Sequence, residues 1–438
     1  SYIIRSMRKM FSHCLKLSYK DTAQQNSYVT IPRAANSFDN TEIAANVGED
    51  IIDSLTGGRL VGSVTSFENF AECPLRYYLR YGVDLKEREE FTFSPVNFGV
   101  VLHAVIREVC DEIKKNGESY YLISEEKRRE MVKRSVAAIT DIYQNSILKD
   151  SSRNSFMIKR MEDLADRTVW AMGEQLKCGD FVPFVFEHKF NMEVGDGDRK
   201  QLMSGTIDRV DICENGTDVY VRIIDYKTGK KDFNIVKTYY GIDIQLMVYM
   251  EATMKLVAKM RPGKNVIPAG VFYYNISDPI VSATTESAEE IEDKIKGELR
   301  LKGMVNSDKD IAEKMDNTGG TSLNIPVSRK ADGGFDSRRS KVMNTEQFNM
   351  LGRFVDVRAV DTADRIAGGD IRRSPYKDGQ FSSCDICPYG AVCGFSVDLP
   401  GCNYRKLKKF DDEVLWNNIK EGVDENGKKM DTGAEERD

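Results

Sequence analysis

The sequence places two carboxylates and one ammonium group where a β-hairpin would bring them together. Asp225 and Lys227 end an apolar run, and on a strand two residues with this spacing project from the same face. Asp208 lies on a second predicted strand, and Asn215 and Gly216 between the two strands are typical of a hairpin turn. We therefore expect Asp208, Asp225 and Lys227 to converge at one point.

This set of side chains suits the hydrolysis of a phosphodiester. Two carboxylates can bind Mg²⁺ or Mn²⁺ through oxygen and leave coordination positions for water and for a phosphate oxygen. The ion would polarise the phosphate and lower the pKa of the water, and a lysine could orient that water or offset charge in the transition state. An exposed hairpin would show the same charges in isolation, so the interpretation depends on the polar residues around it.

Three further polar features fall at useful places. His103 lies on a predicted apolar helix, where it is either a packed core residue or a metal ligand. Gln245 and Tyr249 share one helix face, which could contact a phosphate and a base or sugar, or could be an ordinary half-buried face. Glu187 lies on the strand that precedes Asp208, and the sequence leaves open whether it is a ligand or an exposed residue.

Cysteines form a second group of chemically useful residues. Cys384, Cys387 and Cys393 have C-x2-C-x5-C spacing, and Cys402 lies nine positions further along. Closely spaced thiolates indicate a zinc site or an iron–sulfur cluster, and by proximity alone Cys402 would be the fourth ligand. Nine cysteines without a recognisable secretion signal favour a reducing, cytoplasmic compartment.

The surrounding pattern predicts an α/β fold that would position these residues. Helical spacing of apolar residues covers the segments 63–81, 97–115, 124–177, 242–260 and 345–366. Short runs rich in β-branched and aromatic residues predict strands over 181–193, 200–213, 218–226 and 269–276. This order indicates a mixed sheet flanked by helices. At the start of the first helix, Glu68 stands at capping-box distance from Thr65.

Composition and motifs limit the class of protein. With 41% hydrophobic and 30% charged residues the chain is globular, and its net charge of −6 does not by itself indicate a nucleic-acid binder. No run of residues is long and apolar enough to cross a membrane. The phosphate-loop motif G-x4-G-K-[S/T] is absent from the 438 residues, so we predict that this chain does not hydrolyse ATP.

We expect three regions along the chain. Residues 1–60 are interpreted as a helical lead-in and connector that ends a longer upstream region. Residues 61–410 would form the main domain. Residues 411–438 would form a terminal helix and a disordered tail, because residues 421–438 are charged and nearly free of large apolar groups.

The polar motifs occur in the order found in the RecB-like branch of the PD-(D/E)XK nucleases, and the chain resembles that family. The motifs are Gly99-x3-His103, Gly205-x2-Asp208, Asp225-x-Lys227 and Gln245-x3-Tyr249. The resemblance implies a restriction-endonuclease-like mixed sheet flanked by helices. It implies metal binding by His103, Asp208 and Asp225, with Asp208, Asp225 and Lys227 as catalytic residues. It also implies DNA contacts for Gln245 and Tyr249.

A second resemblance concerns the cysteines. Residues 63–82 are similar to the element that supplies a distant first cysteine in iron–sulfur members of this family. The resemblance implies a [4Fe–4S] cluster held by Cys73, Cys384, Cys387 and Cys393, with Cys402 left out. Such a cluster would be a helical iron–sulfur staple that holds the domain closed and restricts the unfolded chain.

The resemblance also implies an activity and partners. It implies a Mg²⁺-dependent DNA exonuclease that acts 5′ to 3′ in double-strand-break end resection for recombination, together with a helicase–nuclease subunit that unwinds DNA. Two alternatives remain, a stand-alone CRISPR-associated or phage-type iron–sulfur exonuclease and a catalytically silent DNA-end-binding scaffold. The insertion over residues 303–340 argues against the first alternative. The complete set of Asp208, Asp225 and Lys227 argues against the second.

Overall fold

The computed structural model describes residues 61–86, 95–142, 152–194, 201–282, 286–399 and 402–435. The lead-in expected over residues 1–60 lies outside the described residues. Within these ranges, no helix combines the length and the apolar character needed to cross a lipid bilayer.

A mixed sheet forms the centre of the molecule, as expected. Its strands are β1 (Val61–Ser63), β2 (Val182–Val194), β3 (Gln201–Asn215), β4 (Asp218–Lys227), β5 (Asn265–Asn275), β6 (Lys302–Asn306) and β7 (Val342–Met343). Neighbouring strands follow the order β1-β3-β4-β5-β6-β7, and β2 also pairs with β3. The predicted hairpin is confirmed, because β3 and β4 are antiparallel with Arg209 opposite Ile224.

Helices cover both faces of this sheet. In the described ranges they are α1 (Val64–Glu72), α2 (Pro74–Tyr77), α3 (Pro95–Lys115), α4 (Glu125–Ile142), α5 (Ser152–Lys177), α6 (Ile235–Tyr239), α7 (Gln245–Met260), α8 (Ala288–Glu298), α9 (Lys309–Met315), α10 (Thr345–Ala367), α11 (Gly390–Cys393) and α12 (Asp412–Glu435). Helices α3, α4 and α5 pack on one face, and α7, α10 and α12 pack on the other.

Two apolar clusters fill the spaces between the sheet and its helices. Ile224 and Phe272 belong to the cluster under α3, whereas their neighbours Ile223 and Val271 belong to the cluster under α7. Successive strand residues point to opposite faces, so β4 and β5 are buried on both sides. Their nearly continuous apolar sequence follows from this position.

A small unit after α10 joins the two ends of the described chain. Its short strands β8 (Tyr376–Asp378), β9 (Phe381–Ser382) and β10 (Arg405–Lys406) form a separate sheet. Ser383 Oγ donates to the carbonyl of Glu72, and Tyr389 Oη donates to the carbonyl of Leu85 at 2.8 Å. These contacts fasten the unit to α1 and to the residues that follow it.

The first predicted helix is interrupted at Cys73. Helix α1 ends at Glu72, Cys73 adopts an extended conformation with φ of −165°, and α2 begins at Pro74. Proline disfavours a helical conformation in the residue before it, which explains the break. A π-helix over Tyr78–Gly82 follows α2. The expected capping box is also wrong: Ser63 is the N-cap of α1, and its side chain accepts from Ser66 N.

The terminal segment is more regular than its composition suggested. Helix α12 continues to Glu435, through most of the residues 421–438 for which we expected disorder. Leu415 and Ile419 are buried in the cluster beneath α10. Gly422 lies so close to Phe354 that a Cβ there would be 2.8 Å from the ring. Packing of the first turns, which composition does not reveal, supports the helix.

Candidate active site

Side chains from β2, β3 and α3 meet at one end of the β3–β4 hairpin. His103 Nδ1 lies 3.4 Å from Asp208 Oδ1 and 3.6 Å from Glu187 Oε1. The ligand atoms of these three residues all lie within 4.8 Å of one another. One divalent cation could contact all three, since Mg²⁺ and Mn²⁺ accept carboxylate oxygen and Mn²⁺ also accepts imidazole nitrogen.

Asp225 and Lys227 adjoin this group on β4. Asp225 is buried, and its Oδ2 lies 2.5 Å from Lys227 Nζ, so the two side chains share a face as predicted. The backbone N–H of Tyr226 donates to Asp208 Oδ2 at 2.6 Å. That bond occupies one oxygen of Asp208, while the other oxygen faces His103.

The pKa shifts at the site show that acidic groups are crowded together. Burial and the charge of Asp208 raise the pKa of Asp225 to about 7, although Lys227 lowers it. Burial lowers the pKa of His103, but hydrogen bonds and charges from Asp208 and Glu187 outweigh it and raise the pKa to about 10. Both shifts arise because the protein supplies more negative than positive charge here. A bound divalent cation would relieve this crowding, so the donor set fits Mg²⁺ or Mn²⁺.

Glu187 reaches the site through an unusual backbone conformation. Its φ is 48°, in the left-handed region that residues other than glycine seldom adopt. It lies between the Phe186–Arg209 and His188–Ile207 pairs of the β2–β3 ladder, opposite Asp208. Backbone strain of this kind is often found at functional sites. Nothing in the local sequence indicates this conformation, so the sequence alone could not decide the role of Glu187.

Gln245 and Tyr249 lie at the start of α7, directly beside Lys227. Lys227 Nζ donates to Gln245 Oε1 at 3.0 Å, and Gln245 Nε2 donates to Tyr249 Oη at 2.8 Å. Both side chains are buried. The Tyr249 ring packs edge-on against Phe190, and a Cβ on Gly205 would lie 2.6 Å from that Phe190 ring. The helix face therefore holds Lys227 in place, while DNA contact by Gln245 and Tyr249 stays a prediction.

A second polar network, which the sequence did not reveal, lies behind Lys227. Glu68 Oε1 accepts hydrogen bonds from the backbone N–H groups of Ile244 at 2.9 Å and Gln245 at 3.0 Å. Nearby, Lys231 Nζ lies 3.0 Å from Asp243 Oδ1. Burial raises the pKa of Glu68 to about 7, with Lys231 opposing and Asp243 adding to the shift. Because Glu68 and its partners lie 176 and 177 positions apart, no local pattern predicts the contact.

The structure also brings four cysteines together. Cys73, Cys384, Cys387 and Cys393 line one cavity, and Cys402 is buried but is not among its lining residues. This is the group that the resemblance implied. Among the described residues no three cysteine sulfurs lie within 4.8 Å of one another. Around a zinc ion with bonds of about 2.3 Å, neighbouring thiolates would be closer, at about 3.8 Å.

Polar groups around the cavity are arranged to stabilise thiolates. The sulfur of Cys73 accepts hydrogen bonds from three backbone N–H groups, those of Leu75, Arg76 and Ser374. The backbone of Phe395 contributes a hydrogen bond to Cys393. Burial raises the pKa of Cys73 and raises that of Cys393 to about 11, so both free thiols carry their protons at neutral pH. Binding of a metal group would replace those protons.

A wide groove begins at the loop after Lys227. The loop residues 228–232 line it, together with Phe98 on α3. Basic side chains come from three elements, Arg160 on α5, Lys230 on the loop and Lys302 on β6. Phe156 on α5 is 64% exposed and offers an aromatic face on the same groove.

Comparison with known proteins agrees with this site. The sequence profile of the PD-(D/E)XK nuclease superfamily matches residues 62–394, most of the chain, and the chain belongs to this superfamily. It is also similar to proteins named as the B subunit of an ATP-dependent helicase/deoxyribonuclease. Identity is 33% over 380 residues with that of Thermoanaerobacter sp. (strain X514), covering 84% of this chain and 33% of the relative. It is 34% over 391 residues with that of Clostridium acetobutylicum, covering 87% and 34% respectively. The chain spans about a third of the length of these curated relatives.

Proposed function

We propose that this chain is the nuclease region of a B-type helicase–deoxyribonuclease subunit and hydrolyses DNA phosphodiesters in a Mg²⁺-dependent reaction. The observation that carries the proposal is the convergence of His103, Glu187 and Asp208 beside Asp225 and Lys227. Membership of a nuclease superfamily and similarity to proteins named helicase/deoxyribonuclease support it. The expected role is exonucleolytic 5′ to 3′ resection of double-strand breaks for recombination.

His103, Asp208 and Asp225 would hold Mg²⁺ or Mn²⁺, with Glu187 as an added ligand. When bound, the ion supplies Lewis-acid polarisation of a phosphate oxygen and a water of lowered pKa. Asp208 is oriented for this role by the N–H of Tyr226. Lys227, fixed between Asp225 and Gln245, presents an ammonium group that would orient the attacking water or offset charge on the phosphate.

The groove beside Lys227 supplies a path for a single DNA strand. Arg160, Lys230 and Lys302 would contact phosphates along it, and the exposed ring of Phe156 could stack on a base. The groove begins one residue after Lys227, so a strand lying in it would pass the carboxylates. An AddA-type helicase–nuclease subunit is the proposed partner that delivers unwound DNA, because no phosphate-loop motif occurs in these 438 residues.

We propose further that Cys73, Cys384, Cys387 and Cys393 hold a [4Fe–4S] cluster. Four sulfurs facing one cavity, spaced more widely than zinc would require, favour a multi-atom group over a single ion. Hydrogen bonds from backbone N–H groups to cysteine sulfur also stabilise the negative charge of such a cluster. The cluster would fasten α1 to the unit that follows α10.

The nuclease proposal is tested with end-labelled linear DNA, with and without Mg²⁺. We expect Mg²⁺-dependent degradation by the wild type and a loss of at least about 10³-fold in Asp225→Ala, which removes a ligand and the partner of Lys227. Asp293→Ala, an exposed aspartate on α8, is the matched control and should keep full activity. Degradation that persists in Asp225→Ala would refute the assignment. A folded, DNA-binding wild type without cleavage would favour the scaffold instead.

The cluster proposal is tested by iron, sulfide and zinc analysis of purified protein. We expect iron and acid-labile sulfide in the wild type and in Cys402→Ala, and their loss in Cys73→Ala. Both changes remove a buried thiol, so the pair separates ligation from packing. A zinc-containing wild type, or iron lost from Cys402→Ala and kept in Cys73→Ala, would overturn the ligand set.

A further inference from the structure

Helix α7 begins without a cap of its own. Its N-cap residue, Ile244, has no side chain that could accept the hydrogen bonds of the first turn. The first N–H groups of a helix lack partners within the helix, and a side-chain acceptor there usually comes from a neighbouring residue. Here it comes from a different helix, because Glu68 on α1 accepts from both Ile244 N and Gln245 N.

The first turn of α7 also fixes Lys227. Gln245 is the first residue of α7, and its Oε1 accepts the hydrogen bond from Lys227 Nζ. Gln245 is oriented in turn by its bond to Tyr249, one turn later. A shift of the first turn would therefore move the acceptor of Lys227 away from Asp225.

The other end of α1 is fastened at the cysteine cavity. Its C-cap is Cys73, whose N–H donates to the carbonyl of Asn69 at 3.1 Å. Arg405 donates to the carbonyl of Ala71, and Ser383 donates to that of Glu72. Helix α1 is thus held by the cysteine unit at its last turn and touches α7 through Glu68, five residues before Cys73.

We propose that Glu68 is a positioning residue that ties the helix ending at Cys73 to the first turn of α7, and so holds Gln245 and Lys227 in place. The proposal rests on the nuclease function proposed above. Glu68 touches neither the metal group nor the groove, so it acts only through α7. Its negative charge also suits the N-terminal end of a helix, where the helix dipole is positive.

The test compares two substitutions in the full 438-residue chain. Glu68→Ala removes the acceptor, and we expect kcat to fall about 10–100-fold with little change in KM, as for a misplaced catalytic group. Glu68→Gln keeps an oxygen at the same place and should retain kcat within about threefold, because it still accepts the N–H bonds. Thr65→Ala, on the exposed face of α1, is the matched control and should behave as wild type.

Amide exchange measures the contact independently of activity. In Glu68→Ala the amides of Ile244 and Gln245 should exchange faster than in wild type, while iron content and the melting temperature stay close to wild type. In Glu68→Gln their protection should remain. If the wild type cleaves nothing, the nuclease proposal fails, while exchange at these two amides still decides whether Glu68 caps α7.

A double-substitution cycle decides whether the effect passes through Gln245. If Glu68 acts by placing Gln245, then Glu68→Ala should add little to the loss already caused by Gln245→Ala. Multiplicative losses in the double variant would overturn this route. Wild-type kcat in Glu68→Ala, or a loss of kcat in Glu68→Gln as large as in Glu68→Ala, would overturn the proposal as a whole.

Discussion

The carboxylate site and the cysteine site differ in what holds their side chains in place. Asp208 and Asp225 stand on long central strands, where ladder hydrogen bonds and two apolar clusters fix the backbone. Cys384, Cys387 and Cys393 stand on short helices and turns after β9, and Cys73 is an extended residue between two helices. The first site is positioned by the fold, whereas the second brings together distant parts of the chain.

A buried charge network strengthens the scaffold of the carboxylate site. Asp211 is fully buried on β3 and accepts hydrogen bonds of 2.7 Å from Arg209 Nε and Nη2. Arg222 on β4 donates to the same carboxylate at 2.8 Å. These bonds join β3 to β4 below Asp208 and Asp225. The difference between the sites indicates that the carboxylates should keep their geometry without metal, whereas the cysteine unit should depend on the group that it binds.

The largest expected effect is on stability at the cysteine site. Cys384→Ala should lower the free energy of unfolding by about 2–4 kcal/mol more than Cys402→Ala, because it removes a link that closes a very long loop. Ser383 and Glu72, beside that link, are 311 positions apart. Chemical denaturation of protein purified with its metal group measures the difference. Equal losses in the two variants would show that the cysteine unit is as self-supporting as the sheet.

Much of the carboxylate site could be predicted from sequence because its geometry is local to one hairpin. The turn at Asn215 and Gly216 and the two-residue period set the register, and the register sets which charges share a face. The contact between Glu68 and α7 could not be predicted in this way. Glu68 has the spacing of a local cap, and only the tertiary packing of α1 against α7 gives it another partner.

The cysteine grouping shows a different limit. Spacing alone favoured Cys402 as the fourth ligand, since it is nearest in sequence to the other three. The structure places Cys73 at the cavity instead, because the unit after α10 packs on the end of α1. A contact across 311 positions leaves no periodic signal in a single sequence. Only the family resemblance of residues 63–82 indicated it.

The next effect concerns metal affinity at the carboxylate site. Glu187→Gln should weaken binding of Mn²⁺ about 10–100-fold, since it removes one negative charge and one strong oxygen donor from the group around His103. Isothermal titration calorimetry measures the affinity. The fold should be unchanged, because glutamine keeps the size of the side chain and the backbone conformation stays the same.

Glu193→Gln on the same strand is the control for Glu187→Gln. Glu193 is exposed and lies outside the metal group, so the affinity of this variant for Mn²⁺ should match wild type. Equal affinity in both variants would mean that Glu187 supports His103 without touching the ion. The ligand set would then return to His103, Asp208 and Asp225.

The smallest expected effect separates a metal site from ordinary burial. Burial and the nearby charge of Glu251 raise the pKa of Asp356 on α10 to about 6 from a usual value of 3.8, although Lys255 lowers it. Asp225 shows a similar rise, also from burial and a neighbouring carboxylate. Asp356, however, is not part of the metal group found among the described residues. A raised pKa alone therefore does not identify a metal ligand.

Asp356→Asn should stabilise the chain in a pH-dependent way. The folded pKa is the higher one, so stability is fully present below the unfolded pKa of about 4 and is lost as the pH rises through about 6. Asparagine cannot ionise, so its advantage should be about 1 kcal/mol at pH 8 and should vanish near pH 4. Thermal unfolding across this range measures it. Mg²⁺ should leave this difference unchanged, because the ion compensates charge only where ligands converge; an advantage that Mg²⁺ abolishes would extend the metal site to α10.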